Sequence, residues 1–325
     1  MLTIRRILLP TDYSACAEGA FTHAAYLADR YDAELHVLHV TEPEGSLMDS
    51  CFDDLRITPE DIAADLKLPL PERDDRPADE PVSLIEHEET GPDPAPVILR
   101  YAEEHDIDLI VMGTHGRRGI RRMMVGSVTE EVMRLSPCPV FTVRRPDRPD
   151  ESTGAWTVDR VLAAVDLSER SIFAARHAAR LAATYEAKLT LALVIDAVML
   201  PTSMVPYAEA EVPTVDFEEL QRKAEKDLAD LADHLQDEVP ALRGHVEIRV
   251  EVGHPVRDLV EMIETTGVDL LVLGSHGRTG VERFLMGSVA EQLVRLAPCP
   301  VFTLKSFGKV LIATPEAQRE QPAVA

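Results

Sequence analysis

No apolar run in this 325-residue chain approaches the roughly 20 residues that a helix needs to cross a bilayer. The sequence also enters its first apolar segment directly, without the pattern of a secretory leader, so a cytoplasmic protein without membrane insertion is expected. Lysine is scarce, occurring only at 67, 188, 223, 226, 305 and 309. Fifty-seven Asp and Glu outweigh 33 Lys and Arg for a net charge of −24. That balance argues against non-specific binding to nucleic acid and against docking on anionic lipid. The arginine bias suits concentrated salt and a skewed genome composition equally well. Four cysteines without a Cys-x2-Cys pair suit thiols kept in a reducing compartment and give a redox role no support. No Gly-x4-Gly-Lys-Ser/Thr loop is present, so no lysine is offered to β- and γ-phosphates in that way. There is likewise no Ser-Gly-Gly-x-Asp-Ser run of the pyrophosphatase type.

What is present is a repeat. Gly113-Thr114-His115-Gly116, nine residues and then Gly126-Ser127 return as Gly274-Ser275-His276-Gly277, nine residues and then Gly287-Ser288. Each copy directly follows an apolar run, Leu109–Met112 or Leu270–Leu273, of the kind buried on both faces of a parallel sheet. Glycines at a strand's carboxyl end let backbone N–H groups approach an oxyanion. The helical periodicity that begins at Gly126-Ser127 and Gly287-Ser288 adds a helix N-terminus, which favours phosphate. Arg6–Asp12 with Ser14 matches Arg160–Asp166 with Ser168, and Pro137-Cys138-Pro139 matches Pro298-Cys299-Pro300. Two homologous domains result: 1–146, a linker at 147–157, 158–304, and a tail at 305–325.

Within each copy apolar strands alternate with amphipathic helical stretches, the signature of βαβ units. The first copy reads as strand 4–10, helix 15–31, strand 34–40, a weak strand near 82–88, helix 95–105, strand 108–113, helix 127–135 and strand 139–144. The second reads as strand 158–165, helix 169–185, strand 188–195, helix 217–238, strand 245–252, helix 255–266, strand 269–274, helix 288–296 and strand 300–304. Ser14 and Ser168 stand where helix N-caps are wanted. Cys138 and Cys299 read as buried thiols, and Cys16 falls on the first helix. The polar, proline-rich stretch 68–81 reads as a mobile connection, as does 146–153 between the copies. Residues 197–213 read as a covered loop, with a lid or partner-binding segment as the alternative.

These residues resemble the universal stress protein family in its tandem two-domain form, over nearly all of 4–144 and 158–304. The resemblance implies two open five-stranded parallel sheets flanked by helices, an α/β, Rossmann-like architecture of the adenine nucleotide alpha hydrolase type. It implies ATP, or AMP or ADP, at the strands' carboxyl edge, with Mg2+ accompanying the phosphates. Carried over residue by residue, it assigns Asp12 and Asp166 to the ribose, and Val40 and Val194 to the adenine through their backbone. Gly113, Gly116, Gly126, Ser127 and Val128 would line the first ribose-phosphate site. Gly274, Gly277, Gly287, Ser288 and Val289 are their equivalents. A carboxylate accepts from ribose hydroxyls, while a serine hydroxyl and successive N–H groups donate to phosphate. The resemblance also implies that the copies pack as a pseudo-dimer through edge strands 140–143 and 301–304, with a homo-dimer as a further possibility. The reading is a nucleotide-binding stress or regulatory protein without dedicated catalytic chemistry. Its alternatives are a slow ATPase or nucleotide hydrolase on the same fold, and a non-binding dimerisation scaffold in which the glycines only make turns.

The copies are unequal. Arg117, Arg118, Arg121 and Arg122 surround the first glycine loop, where the second has Arg278, Thr279, Glu282 and Arg283, so tighter triphosphate binding is expected in the first. His115 and His276 lie in these loops without a nucleophile or carboxylate beside them in sequence, which favours solvent-facing side chains over general bases. The tail segment Lys309–Pro315 echoes a first strand without its aspartate, and a loosely docked tail is expected.

Overall fold

The computed structural model describes residues 2–41, 82–114, 125–144, 158–196, 217–275, 287–305 and 308–312. The readings made for 68–81, 146–153 and 197–213 lie outside the described residues. Contacts divide the chain into two compact units, Met1–Thr157 with Pro300–Ala325, and Val158–Cys299.

In the first unit the elements run β1 (Arg6–Thr11), α1 (Ala15–Tyr31), β2 (Glu34–Thr41), β3 (Leu84–Thr90), α2 (Pro94–Glu104), β4 (Leu109–Gly113), α3 (Ser127–Leu135) and β5 (Val140–Val143). The last strand among the described residues, β10 (Val301–Leu304), groups with this unit. The strand order is β3-β2-β1-β4-β5-β10. The first five strands are parallel, and β10 runs antiparallel to β5 with Val301 opposite Thr142, Phe302 opposite Phe141 and Thr303 opposite Val140. The edge strands expected to meet therefore do meet. Phe141 and Phe302 are fully buried with ring centroids 5.7 Å apart. The hydroxyls of Thr142 and Thr303 donate to the carbonyls of Val301 and Val140 at 3.2 and 3.0 Å, so no polar group is stranded at this seam.

The second unit runs β6 (Arg160–Ala164), α4 (Glu169–Thr184), β7 (Lys188–Asp196), α5 (Phe217–Glu238), β8 (Val246–Gly253), α6 (Pro255–Thr266), β9 (Leu270–Gly274) and α7 (Ser288–Leu296). Its strands are parallel in the order β9-β6-β7-β8. The architecture is α/β, with mostly parallel sheets flanked by helices.

Local chemistry sets the element ends. Ser14 accepts from the Ala17 N–H and caps α1, and Ser168 accepts from the Ser171 N–H and caps α4, which supplies donors that a helix start leaves unbonded. The helix α1 spans the residues the periodicity marked out and stops at Asp32, which adopts a left-handed φ of 53°. The central strands are buried on both faces, as in Leu109–Met112 and Leu270–Leu273. The acid before each of these runs ties two strands together at their amino ends. Asp108 Oδ2 accepts from the Arg5 and Arg6 N–H groups at 2.8 and 3.1 Å, and Asp269 Oδ2 accepts from those of Asp159 and Arg160 at 2.9 Å. The weak strand near 82–88 forms at Leu84–Thr90, where pairing with β2 fixes its register.

Cys138 and Cys299 are buried free thiols and Cys16 lies half-buried on α1; burial pushes the Cys138 thiol up to about 11. The described part of the tail is held more firmly than expected. Gly308–Ile312 is bonded to the first unit, with Thr3 N–H donating to Leu311 O at 2.7 Å and Leu311 only 1% exposed. A buried leucine and a backbone bond at the start of the sheet hold it there.

Candidate functional site

The register of the sheet brings the sequence-nominated residues to one edge. Thr11 lies opposite His39 in β2, so one step further Asp12 stands beside Val40. On the other side of β1, Leu8 lies opposite Ile110, and the same register carries Thr11 to Gly113. Asp12, Val40 and Gly113 thus share the carboxyl edge of three neighbouring strands. Between β1 and β4 the strand order reverses direction, and in open α/β sheets ligands bind at that point. In the second unit Ala164 opposite Ala192 and Ala163 opposite Val272 align Asp166, Val194 and Gly274 in the same way.

Backbone direction adds to this placement. Glu34 N–H donates toward β1, to Arg5 O, and Thr41 O accepts from Gly91 N–H on the β3 side. Successive residues of a strand alternate between neighbours, so the Val40 carbonyl points toward β1. The next rung would come from Tyr13, but its N–H turns in to Thr11 Oγ1 at 3.0 Å. The Val40 carbonyl is left at the edge as an acceptor. Lys188 N–H donates to Asp159 O, which by the same alternation points the Val194 carbonyl toward β6.

Each aspartate starts a tight corner. Asp12 Oδ1 accepts from Ser14 N–H at 3.1 Å, and Asp166 Oδ1 accepts from Ser168 N–H at 3.0 Å and from the Ser168 hydroxyl at 2.6 Å. The residue between them is left-handed in both copies, Tyr13 at φ 58° and Leu167 at φ 62°. For a side chain other than glycine that conformation costs about 1–2 kcal/mol. Its recurrence at the same place in both copies marks the corner as strained. In the first copy Tyr13 packs on His39 with ring centroids 4.7 Å apart, and His39 Nδ1–H donates to Thr11 O at 2.8 Å. Leu167 and Leu193 take these places in the second copy.

The glycines divide by task. Gly126 and Gly287 are the N-caps of α3 and α7, and neither cap offers a side-chain bond. Their own N–H groups are taken by Thr114 O at 2.8 Å and Ser275 O at 2.7 Å. The first intrahelical bonds start at Glu130 and Glu291. The N–H groups of Ser127, Val128 and Thr129, and of Ser288, Val289 and Ala290, therefore precede the helical ladder and are the donors available for an anion. Ser127 and Ser288 are exposed beside them. Gly113 has a packing reason of its own: a Cβ there would lie 3.0 Å from the backbone carbon of Cys16. The start of α1 passes directly over the end of β4 and leaves no room there for a side chain, whether or not phosphate binds. Gly116 and Gly277, with His115, His276 and the loop arginines, lie outside the described residues.

The sequence reading missed Thr129. Its hydroxyl donates to Gly113 O at 2.9 Å and pins the first turn of α3 to the end of β4. The signal was the difference between Gly-Ser-Val-Thr and Gly-Ser-Val-Ala in the two copies, where Ala290 replaces it. Among the described residues no cluster of His, Cys, Asp or Glu could hold a metal ion, and no helix is long and apolar enough to cross a membrane.

Comparison with known proteins agrees with this architecture. A universal stress protein of Methanocaldococcus jannaschii is 31% identical over 151 residues, 44% of this chain and 84% of its own length. One from Bacillus subtilis is 32% identical over 146 residues, 43% of this chain and 98% of its own. The crystal structure of a universal stress protein from Archaeoglobus fulgidus superposes with a TM-score of 0.56 at 21% identity, covering 94% of this chain and 97% of the other. The family model for the universal stress protein family matches twice, at residues 3–144 and 157–305, and the chain belongs to that family as a tandem of two of its domains.

Proposed function

We propose that the chain binds adenine nucleotide, ATP before ADP or AMP, at the carboxyl edge of each sheet, and acts as a nucleotide-responsive regulatory protein in stress. The observation that carries this is the shared edge. An uncapped helix start, an aspartate corner and an outward strand carbonyl stand on three adjoining strands, in both copies. The Val40 or Val194 carbonyl accepts from the exocyclic amine of adenine. Asp12 or Asp166 accepts from ribose hydroxyls, and the first turn of α3 or α7, with the Ser127 or Ser288 hydroxyl, donates to phosphate oxygens. Mg2+ would reach the site through the phosphates. None of these groups is a nucleophile beside a base, which supports binding and conformational signalling over hydrolysis.

Mass spectrometry of nucleotide retained by the purified protein, followed by titration of ATP into Asp12→Ala and Asp166→Ala chains, tests the reading. Each substitution should abolish one site. With Asp166→Ala leaving only the first, its ATP affinity should exceed that of the second several-fold at low salt, and salt should narrow the gap because exposed charges are screened beyond about 10 Å at 0.1 M. Unchanged stoichiometry in both variants would place the nucleotide elsewhere.

A further inference from the structure

Lys305 and Gly308–Ile312, beyond β10, are laid against the carboxyl end of the helix that offers the first site's phosphate donors. Lys305 is 7% exposed, and its Nζ lies 2.8 Å from both Arg134 O and Ser136 O. These carbonyls stand at the carboxyl end of α3, where a helix has acceptors to spare and a negative dipole end. Burial pushes the Lys305 ammonium down to about 8, with the Cys138 thiol as the facing titratable group, so it is charged at neutral pH. Four residues on, Lys309 N–H donates to Pro137 O at 2.8 Å, and its Nζ donates to Asp108 Oδ1 at 2.8 Å and to Asp106 O. Gly308 sits at φ +89°, and a Cβ there would come within 2.2 Å of Pro137 O. Only glycine allows the chain to press so closely on the turn that leaves α3.

The helix so held has nine residues, too few to be stable without tertiary contacts. Its buried face is Thr129, Val132 and Met133, and its first turn is tied to β4 by the Thr129 hydroxyl. The nucleotide donors lie at one end and the lysine at the other. We propose that Lys305 is a positioning residue for the first nucleotide site: by closing the carboxyl end of α3 it holds the helix, and hence the Ser127–Thr129 N–H groups, in place for phosphate. The proposal rests on the nucleotide reading above for its ligand but not for the clasp itself. Lys305 and the strand before it, β10, belong to the first compact unit, so the clasp lies within that unit. A proteolytic cut between Lys305 and Lys309 would leave Lys305 in place but remove Lys309 and Leu311, weakening the hold without abolishing it.

The test uses the full chain with Lys305→Met, Lys305→Arg and Lys305→Gln. Amide hydrogen exchange without ligand should show α3 exchanging about tenfold faster in Lys305→Met, the size expected for losing a partly buried cation at a helix end. The exchange of α7 should be unchanged, and Lys305→Arg should restore α3. ATP titrated into the same substitutions on an Asp166→Ala background should bind several-fold more weakly with methionine and recover with arginine. If the methionine chain fails to fold, Lys305→Gln, which keeps donors without charge, should give the intermediate exchange and affinity. Exchange of α3 at the wild-type rate overturns the clasp, and faster exchange with unaltered ATP affinity overturns the positioning role. If the Asp166→Ala chain with Lys305 intact binds no ATP, the nucleotide reading fails by itself, and the exchange of α3 alone decides the clasp.

Discussion

Acidification from pH 7.5 to 5.5 should destabilise the fold through two histidines at equivalent places on α1 and α4. His23 is buried against Phe141, with ring centroids 5.1 Å apart. His177 is fully buried, donates from Nδ1 to Phe173 O at 2.9 Å, and keeps an Nε2 with no hydrogen-bond partner. Protonating that Nε2 would place a charged donor in the core without an acceptor. Burial accordingly lowers both groups from 6.5 to about 4. The unfolded chain takes up these protons as pH falls through 6.5, while the folded chain refuses them until about 4. Stability is therefore intact above 6.5 and lost across the window from 6.5 to 4. At pH 5.5, one unit below the unfolded value, the loss is roughly 1–2 kcal/mol per histidine, and about 3 kcal/mol for the pair. With a urea slope of about 2 kcal/mol/M, each histidine should move the unfolding midpoint of its region by about 0.7 M. Urea unfolding followed by circular dichroism at the two pH values measures this. His23→Gln and His177→Gln, neutral throughout, should each remove a comparable share of the pH-dependent loss whatever they cost at pH 7.5, with a remainder from His36, which burial also lowers. A pH-dependent loss of full size in the double variant would refute the assignment.

Two further outcomes follow from the packing. Gly113→Ala puts a methyl 3.0 Å from the Cys16 backbone carbon and 3.1 Å from its oxygen, so it should cost about 1–3 kcal/mol and lower the melting temperature, whereas an unaltered melt would mean that α1 does not pass so close. Residues 1–146 expressed alone lose β10 and expose the edge of β5, which should drive self-association; a fragment that stays monomeric at high concentration in light scattering would count against that edge as the docking surface.

The sequence by itself determined the elements and their order. The bounds of α1 and of α3 could be read from it because helix periodicity and an N-cap serine or glycine are local signals, and a second copy with the same spacing repeats them. The two aspartates, two valines and the glycine-serine helix starts could be nominated on the same basis, helped by resemblance. Tertiary structure decided what those residues do to one another. Gly113 turned out to be set by the passage of Cys16 over it, and Thr129 by a carbonyl 16 residues back. The left-handed Tyr13 and Leu167 carry no glycine to announce them; the corner is imposed by the aspartate and serine on either side. Lys305 reads in sequence as one charged residue in a loose tail, yet it closes a helix 171 residues away. Periodicity and capping are written within a few residues of each other and survive reading along the chain. The partner of a buried ammonium or of a missing Cβ is fixed only when the strands have been ordered, because those contacts join parts of the chain that no local pattern connects.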